Sequence, residues 1–523
     1  MLSNTFDRHV KFNQIFWFGV IGVVCLALGY LLAWASWMVF MTAAAGFWLI
    51  TLPYHSRIAT YLSVATFTSA LILPYFPGRP YMWEFAGLLG WTGMIVTVSL
   101  RQYSPNFAKL VQANIWLFLG LAGYCAVLLV TMFYRGIGFR LLGNELMGGR
   151  FYFQQLICSI FPLLFTMVTL EEKMVSRLFF AQCILTSTYL VSDFIFSIAP
   201  QALIFLLQFF ELPGDALNFE GLARSHGIRR FQSLYIVGTG VIYVLMARFP
   251  LSEFFGFRGL VLLPVSLGVF GIGLLSGHRF LFFIVSMVGL QVAFTQRFIN
   301  FKNAMVGLVM LGTGLFFAYG YADQMPLAAQ RALAVLPGIQ VQSDARADGL
   351  ATLDGRAMLR SIGWKMAPDY FWIGRGFGQF SSDYSLYWDP SGINYHLNQG
   401  RFFNGFIGLL VNTGFFGTLF MLMFLASGSW LSVKIMARVR RFRYEDVFSR
   451  VSSLLAGLWV ANVISFLFLH GDSEYAMKTF SLQAGLLITC NHLLAQRESQ
   501  PAEVPLASEP ASLTAPVADP SPA

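Results

Sequence analysis

The sequence predicts an all-α, polytopic membrane protein of about 12–14 transmembrane helices with one large, partly helical outer loop. Three observations lead there. Of 523 residues, 57% are hydrophobic and only 11% are charged, whereas a soluble domain carries about 25% charged residues. So few charges cannot coat the soluble domains that this length would otherwise imply. Apolar runs of about 20 residues, the length that crosses a bilayer, recur along the chain. Lys and Arg fall in alternate short connections, as the positive-inside bias requires. Soluble enzymes, disordered chains and basic-surface nucleic-acid binders are thereby excluded, and the net charge of +9 mostly reports cytoplasmic loops.

In chain order, residues 1–14 are polar, carry Arg8 and Lys11, and read as a cytoplasmic N-terminus without a cleavable signal peptide. The region 15–320 holds spans one to eleven, beginning near Ile15, Trp37, Ala59, Met82, Val111, Phe153, Leu178, Ser233, Leu260, Phe280 and Met305. The stretch 201–212 is too short to cross and reads as re-entrant or interfacial. Outer loops lie near 134–152 and 213–231, and a large one at 321–401. Within it, LDGRAMLRSIGWKMA predicts an amphipathic helix with Leu359, Ile362 and Met366 on one face. The last three spans, beginning near Phe402, Ser453 and Met477, occupy 402–496 with a basic cytoplasmic loop at 428–451. Residues 497–523 are Pro/Ala/Ser-rich and predict a disordered cytoplasmic tail. Both termini are then cytoplasmic. The five cysteines all sit in apolar runs and read as packing residues.

The outer loops depart from the positive-inside bias. Arg135, Arg140 and Arg150 lie in the first long loop; Arg224, Arg229 and Arg230 in the second; Arg346, Arg356, Arg360, Arg375 and Arg401 in the large one. Arg279 directly precedes the apolar run RFLFFIVSMVGL. A planar, permanently charged guanidinium binds phosphate oxygens bidentately, so converging arginines suit a lipid-linked phosphate or pyrophosphate. Headgroup contact, or pairing with Asp215, Glu220, Asp344 and Asp348, is the plainer alternative. IGRGFGQF, with Gly374 and Gly376, lacks the strand–turn–helix context of a nucleotide loop; its glycines read as a tight turn or a close approach to a ligand. His396 is the only histidine of the large loop and could take a proton near neutral pH. Asn404 reads either as a helix N-cap or as a site residue. Glycines 405, 408, 414 and 417 predict close helix packing.

DGRAMLRSIGWKMAPDYFWIGRGFGQF followed by FNGFIGLLVNTGFFG resembles the O-antigen ligase / O-antigen polymerase superfamily. These are bacterial inner-membrane glycosyltransferases acting on polyprenyl-pyrophosphate-linked glycans. Gly355-Arg356 match its Gly-Arg element, Gly374 and Gly376 its turn, and Asn404, Gly414 and Gly417 its last element. SGHRFLFF, GGRFYFQQL and IRRFQSLYIVG resemble its other arginine motifs. The family's histidine falls on Phe403, the tryptophan of its amphipathic helix on Arg360, and its turn proline on Phe371, which makes the polymerase branch the better fit.

The resemblance implies a GT-C-like, metal-independent polymerase without a cofactor, joining lipid-linked repeat units on the periplasmic face. Arg356 and Arg360 would stabilise the leaving pyrophosphate with Arg279, supported by Arg150 and Arg230. His396 would activate the acceptor and Asn404 orient it. Trp364, Trp372, Tyr384, Tyr387 and Trp388 would stack on sugars or fill the loop core. A chain-length regulator and a flippase of the same pathway are expected partners, and nucleic acid is not. Ligase-type transfer is the alternative within the class. A glycan flippase is the alternative outside it, but would place charges or broken helices at the midplane.

Overall fold

Helices account for the architecture of a computed structural model. It describes residues 48–74, 78–138, 149–168, 170–198, 203–211, 233–378, 393–442 and 446–499, with Thr42, Ala45, Gly46, Gln201 and Phe231. No strand occurs among the described residues. The first half comprises α1 (His55–Thr66), α2 (Met82–Ser99), α3 (Phe107–Ala113), α4 (Ile115–Arg135), α5 (Arg150–Cys158), α6 (Phe161–Met167), α7 (Glu172–Leu185) and α8 (Thr188–Ile198). The second half continues with α9 (Ser233–Arg248), α10 (Gly259–Leu274), α11 (Phe280–Thr295), α12 (Phe301–Tyr321), α13 (Leu327–Leu333), α14 (Ser343–Met366) and α15 (Ile393–Asn398). It closes with α16 (Gly405–Phe442), α17 (Val447–Ile464) and α18 (Ala476–Ser499). Helices occur at the positions of twelve of the fourteen expected spans, although the one expected near Phe153 is divided between α5 and α6. The span near Ile15 and most of the one near Trp37 lie outside the described residues, as does the tail 500–523.

Five helical stretches among the described residues are long and apolar enough to cross a membrane: Ile115–Arg135, Glu172–Ile195, Phe301–Gln324, Gly405–Arg441 and Val447–Leu469. The third is the most telling. Its most apolar 18-residue window is 0% buried, with Leu308, Leu311 and Phe316 all exposed. A helix that is apolar on every side, and covered by none of the described residues, needs an apolar solvent. The Asn300 side chain starts it by accepting from the Asn303 amide at 2.9 Å.

The remaining helices bury one another. Tyr124, Phe424, Trp459 and Phe480 lie fully inside a core shared by α4, α16, α17 and α18. Helix α16 runs along α4. A Cβ at Gly120 would sit 2.7 Å from the Phe424 amide nitrogen, the close backbone approach that small residues allow in membranes.

Contacts between connections define two ends of the bundle. At one, Arg450 donates to the Ala247 carbonyl (2.9 Å), Arg297 to that of Arg440 (3.1 Å), and Arg497 to Asp446 and Glu172. This basic end gathers loops that the positive-inside reading places together. The opposite end carries the described part of the region 321–401, with α13, α14 and α15. Helix α14 starts ahead of the stretch read as amphipathic, and Leu359 is buried on the expected face with Ile362 and Met366 half-buried. At the basic end α16 continues through Phe442, so 428–442 is helix where a loop was expected. Lys, Arg, Met and Ala are good helix formers, and Arg438 anchors the extension on the Asn491 carbonyl at 3.0 Å.

Candidate active site

The site is built around a break in α16. Gly414 has φ +70° and ψ −172°, a region essentially reserved for glycine. There the helix leaves carbonyls of its preceding turn without intrahelical donors. The segment 371–376 supplies donors: the Arg375 amide reaches the Val411 carbonyl at 2.8 Å and the Gly376 amide that of Asn412 at 2.9 Å. In return Phe415 donates its amide to the Phe371 carbonyl at 2.6 Å. A Cβ on Gly374 would collide with the Asn412 backbone, and one on Gly376 with the Tyr152 hydroxyl. The two glycines therefore hold the turn against the helix break. Arg135 fastens its far side, donating to the carbonyls of Gly374 (3.0 Å) and Ile373 (3.2 Å).

Beside this joint, Phe403 adopts φ +49°, a left-handed conformation uncommon for a bulky residue. Three groups hold its ring. His470 stacks on it at 5.3 Å, His396 meets it edge-on at 4.9 Å, and the Arg356 guanidinium lies 4.9 Å from its centroid. Next in sequence, the Asn404 side chain accepts from the Ile407 amide at 3.0 Å and caps α16. A π-helical turn, Ser465–Leu469, ends α17 and delivers His470, whose amide returns to the Ser465 carbonyl at 2.8 Å. Gly471 follows because a Cβ there would lie 2.1 Å from the Phe466 carbonyl oxygen. The chain then presents Asp472, Ser473 and Glu474 to the same cluster.

Charge is unevenly matched here. Arg331 is fully paired, donating to Asp348, to the Gly277 carbonyl (2.7 Å) and to Thr352 (3.0 Å). Arg401 binds Glu474 and the Tyr475 hydroxyl. Arg375 donates to the carbonyls of Leu397 and Asn398, and Arg346 to that of Ile339. Arg150, in contrast to its expected role, is buried in a structural pair with Glu84 at 3.0 Å and donates to the Gly78 carbonyl at 2.8 Å. Among the described residues, neither Arg356 nor Arg360 has a hydrogen-bond or ion-pair partner, and Arg279 makes only a long 3.4 Å contact to the Arg331 carbonyl.

Burial works against the charge of Arg356, with Asp472 opposing it and Arg331, Arg279 and Arg360 adding to it. The same cause, then Arg331, acts on Arg279. The imidazoles are held neutral. Burial, then Arg401, depresses His396 to about 4, and burial depresses His470 while Asp472 opposes it. Burial and Asp472 push the Glu474 carboxyl up against the pull of Arg401.

No protein-family model and no curated protein matches the chain. The structure brings Arg356, Arg360, His396, Asn404, Gly374, Gly376 and Arg279 to one end of the bundle. Trp364 is exposed beside Phe406, their rings 6.1 Å apart. Arg140, Arg224, Arg229, Arg230, Tyr384, Tyr387 and Trp388 lie outside the described residues. Among the described residues, no group of three or more His, Cys, Asp or Glu is placed to hold a metal ion. Arg331, His470 and Asp472 escaped the sequence reading. The run HGDSE, three ionisable groups within five residues after an apolar span, was the available signal.

Proposed function

We propose that the chain is a GT-C-like polysaccharide polymerase of the bacterial inner membrane. It joins polyprenyl-pyrophosphate-linked oligosaccharide repeat units at the periplasmic face, without a metal ion or other cofactor. The observation that carries this reading is the surplus of guanidinium at the loop end. Arg279, Arg331 and Arg360 all act against the charge of Arg356, and of the four only Arg331 has a carboxylate partner among the described residues. Preorganised cations in a partly desolvated site are suited to an anion that gains charge in the transition state. A leaving pyrophosphate is such an anion, and arginine matches its oxygens in pairs. The apolar surface of α12 suits contact with a lipid carrier lying in the bilayer. The acceptor hydroxyl enters on the imidazole side of Phe403, where His396 and His470 are neutral and able to take a proton.

Ligase-type transfer has one observation in its favour: Phe403, at the position of the family's histidine, is contacted by two other imidazoles. A flippase has less support, because the unmatched charges gather at one end.

The test is reconstitution of the full chain with undecaprenyl-pyrophosphate-linked oligosaccharide, reading product length on a gel beside Arg360→Ala and Arg356→Met. A ladder of repeat-unit multiples, lost in both variants, is expected. Transfer to an added lipid acceptor without elongation would make the protein a ligase. Neither product, with flipping observed, would overturn the enzyme reading.

A further inference from the structure

Four polar side-chain atoms around the Phe403 cluster are buried without hydrogen-bond partners: His470 Nδ1, Asp472 Oδ1, Glu474 Oε2 and Asn412 Oδ1. Glu474 is 1% exposed and Asn412 0%. Their other polar atoms are used, Glu474 Oε1 by Arg401 and the Asn412 amide nitrogen by the Gly400 carbonyl (2.9 Å) and Ser473 (2.8 Å). Native proteins seldom leave buried polar atoms unmatched, since each costs about 1–3 kcal/mol. The Asp472 and Asn412 oxygens and the neutral imidazole nitrogen can each accept, whereas Glu474, whose carboxyl is pushed up by burial and Asp472, can also donate. This wall therefore asks a ligand for several O–H or N–H donors.

At Arg356, which also meets the Phe403 ring, the demand is reversed. Arg356 offers donors and makes no hydrogen bond or ion pair among the described residues, although Asp472 favours its charge. A phosphate brings acceptors alone and suits Arg356. Sugar hydroxyls bring donors and suit His470 and Asp472. Phe403, held at positive φ, touches both Arg356 and His470.

We infer that His470 and Asp472 form a sugar-hydroxyl subsite, in which Asp472 holds the acceptor glycan and His470 is the group that deprotonates its attacking hydroxyl. The inference rests on the glycosyl-transfer reading for its chemical step, though not for its binding step. In that step the hydroxyl oxygen forms a bond to the anomeric carbon of the donor. The bond from that carbon to the pyrophosphate oxygen breaks, and its electron pair stays on the pyrophosphate beside Arg356. The hydroxyl proton passes to His470. Asp472 favours and Arg356 and Arg401 oppose the imidazolium at both histidines, but Asp472 is the strongest of these charges on His470 and Arg401 the strongest on His396, so His470 suits the step better.

Two measurements on the full chain in nanodiscs test this. The first compares affinity for undecaprenyl pyrophosphate with affinity for the same carrier bearing its oligosaccharide. Wild type should prefer the glycan-bearing lipid, and Asp472→Asn should lose roughly tenfold or more of that preference, the worth of a hydrogen bond to a charged group. Unchanged affinity of Asp472→Asn for the bare carrier verifies its fold, while Arg356→Met should weaken both lipids. The second measures transfer. His470→Gln should retain binding and slow transfer by about 10²–10⁴-fold, as loss of a general base does. No preference for the glycan in wild type, or full preference in Asp472→Asn, overturns the subsite. Elongation at the wild-type rate in His470→Gln removes the base from His470. A wild type that prefers the glycan through Asp472 yet transfers nothing keeps the subsite and refutes the polymerase. Elongation with both variants unaffected does the reverse.

Discussion

The arginines of the loop end separate by what they touch. Arg331 and Asp348 are buried against each other, with the remaining guanidinium donors taken by Gly277 and Thr352. Removing one member of such a pair strands the other charge. Asp348→Asn or Arg331→Met is therefore expected to cost about 3–5 kcal/mol, seen as a lowered melting temperature in detergent. Among the described residues Arg356 has only the face of Phe403 as a direct contact, and loss of a desolvated cation there relieves repulsion from Arg331, Arg279 and Arg360. Arg356→Met should melt at or above the wild-type temperature while losing transfer. A large drop in its melting temperature would mean that Arg356 is structural, and would remove it from the site. Spacing alone does not separate these two arginines, which belong to the same loop and differ only in what folds against them.

Among the elements, α16 matters most, because its break at Gly414 is where the large loop is attached. A side chain there would have to enter a region that costs of order 1–3 kcal/mol for any other residue. It would also place a Cβ 2.8 Å from the Trp372 carbonyl oxygen. Gly414→Ala is expected to loosen the joint before it unfolds the helix, so the Arg375 and Gly376 amides should exchange with solvent faster while those of 420–440 stay protected. Unchanged exchange at both amides would show that the loop is held elsewhere. The glycines of this joint were visible as packing residues in the sequence. Their partner was not, since Gly374 and Asn412 lie 38 positions apart and their meeting depends on the path of the whole loop. Helix α14 was legible in its second half, where apolar residues recur at helical spacing. Its first half is polar and is helical through contacts with α13, which no local pattern carries.

For the molecule as a whole, the prediction concerns its two ends. With the basic end facing the cytoplasm, a cysteine replacing exposed Asp354 should react with a membrane-impermeant maleimide in intact cells. One replacing exposed Lys302 should react only after permeabilisation. The reverse pattern would invert the topology and place the site away from a periplasmic glycan. Membrane character, the helix positions and the alternation of their ends were already present in the one-dimensional chain. A bilayer core imposes a length of about 20 apolar residues on each crossing, and that length is a local property of sequence. The site itself required the tertiary structure. Arg150 turned out to be bound to Glu84, Arg135 to a loop 239 positions away, and Arg356 to a ring. Whether a charge is spent on a neighbour or left for a ligand depends on desolvation and on partners brought together by packing, and neither is encoded within reach of the residue's own segment.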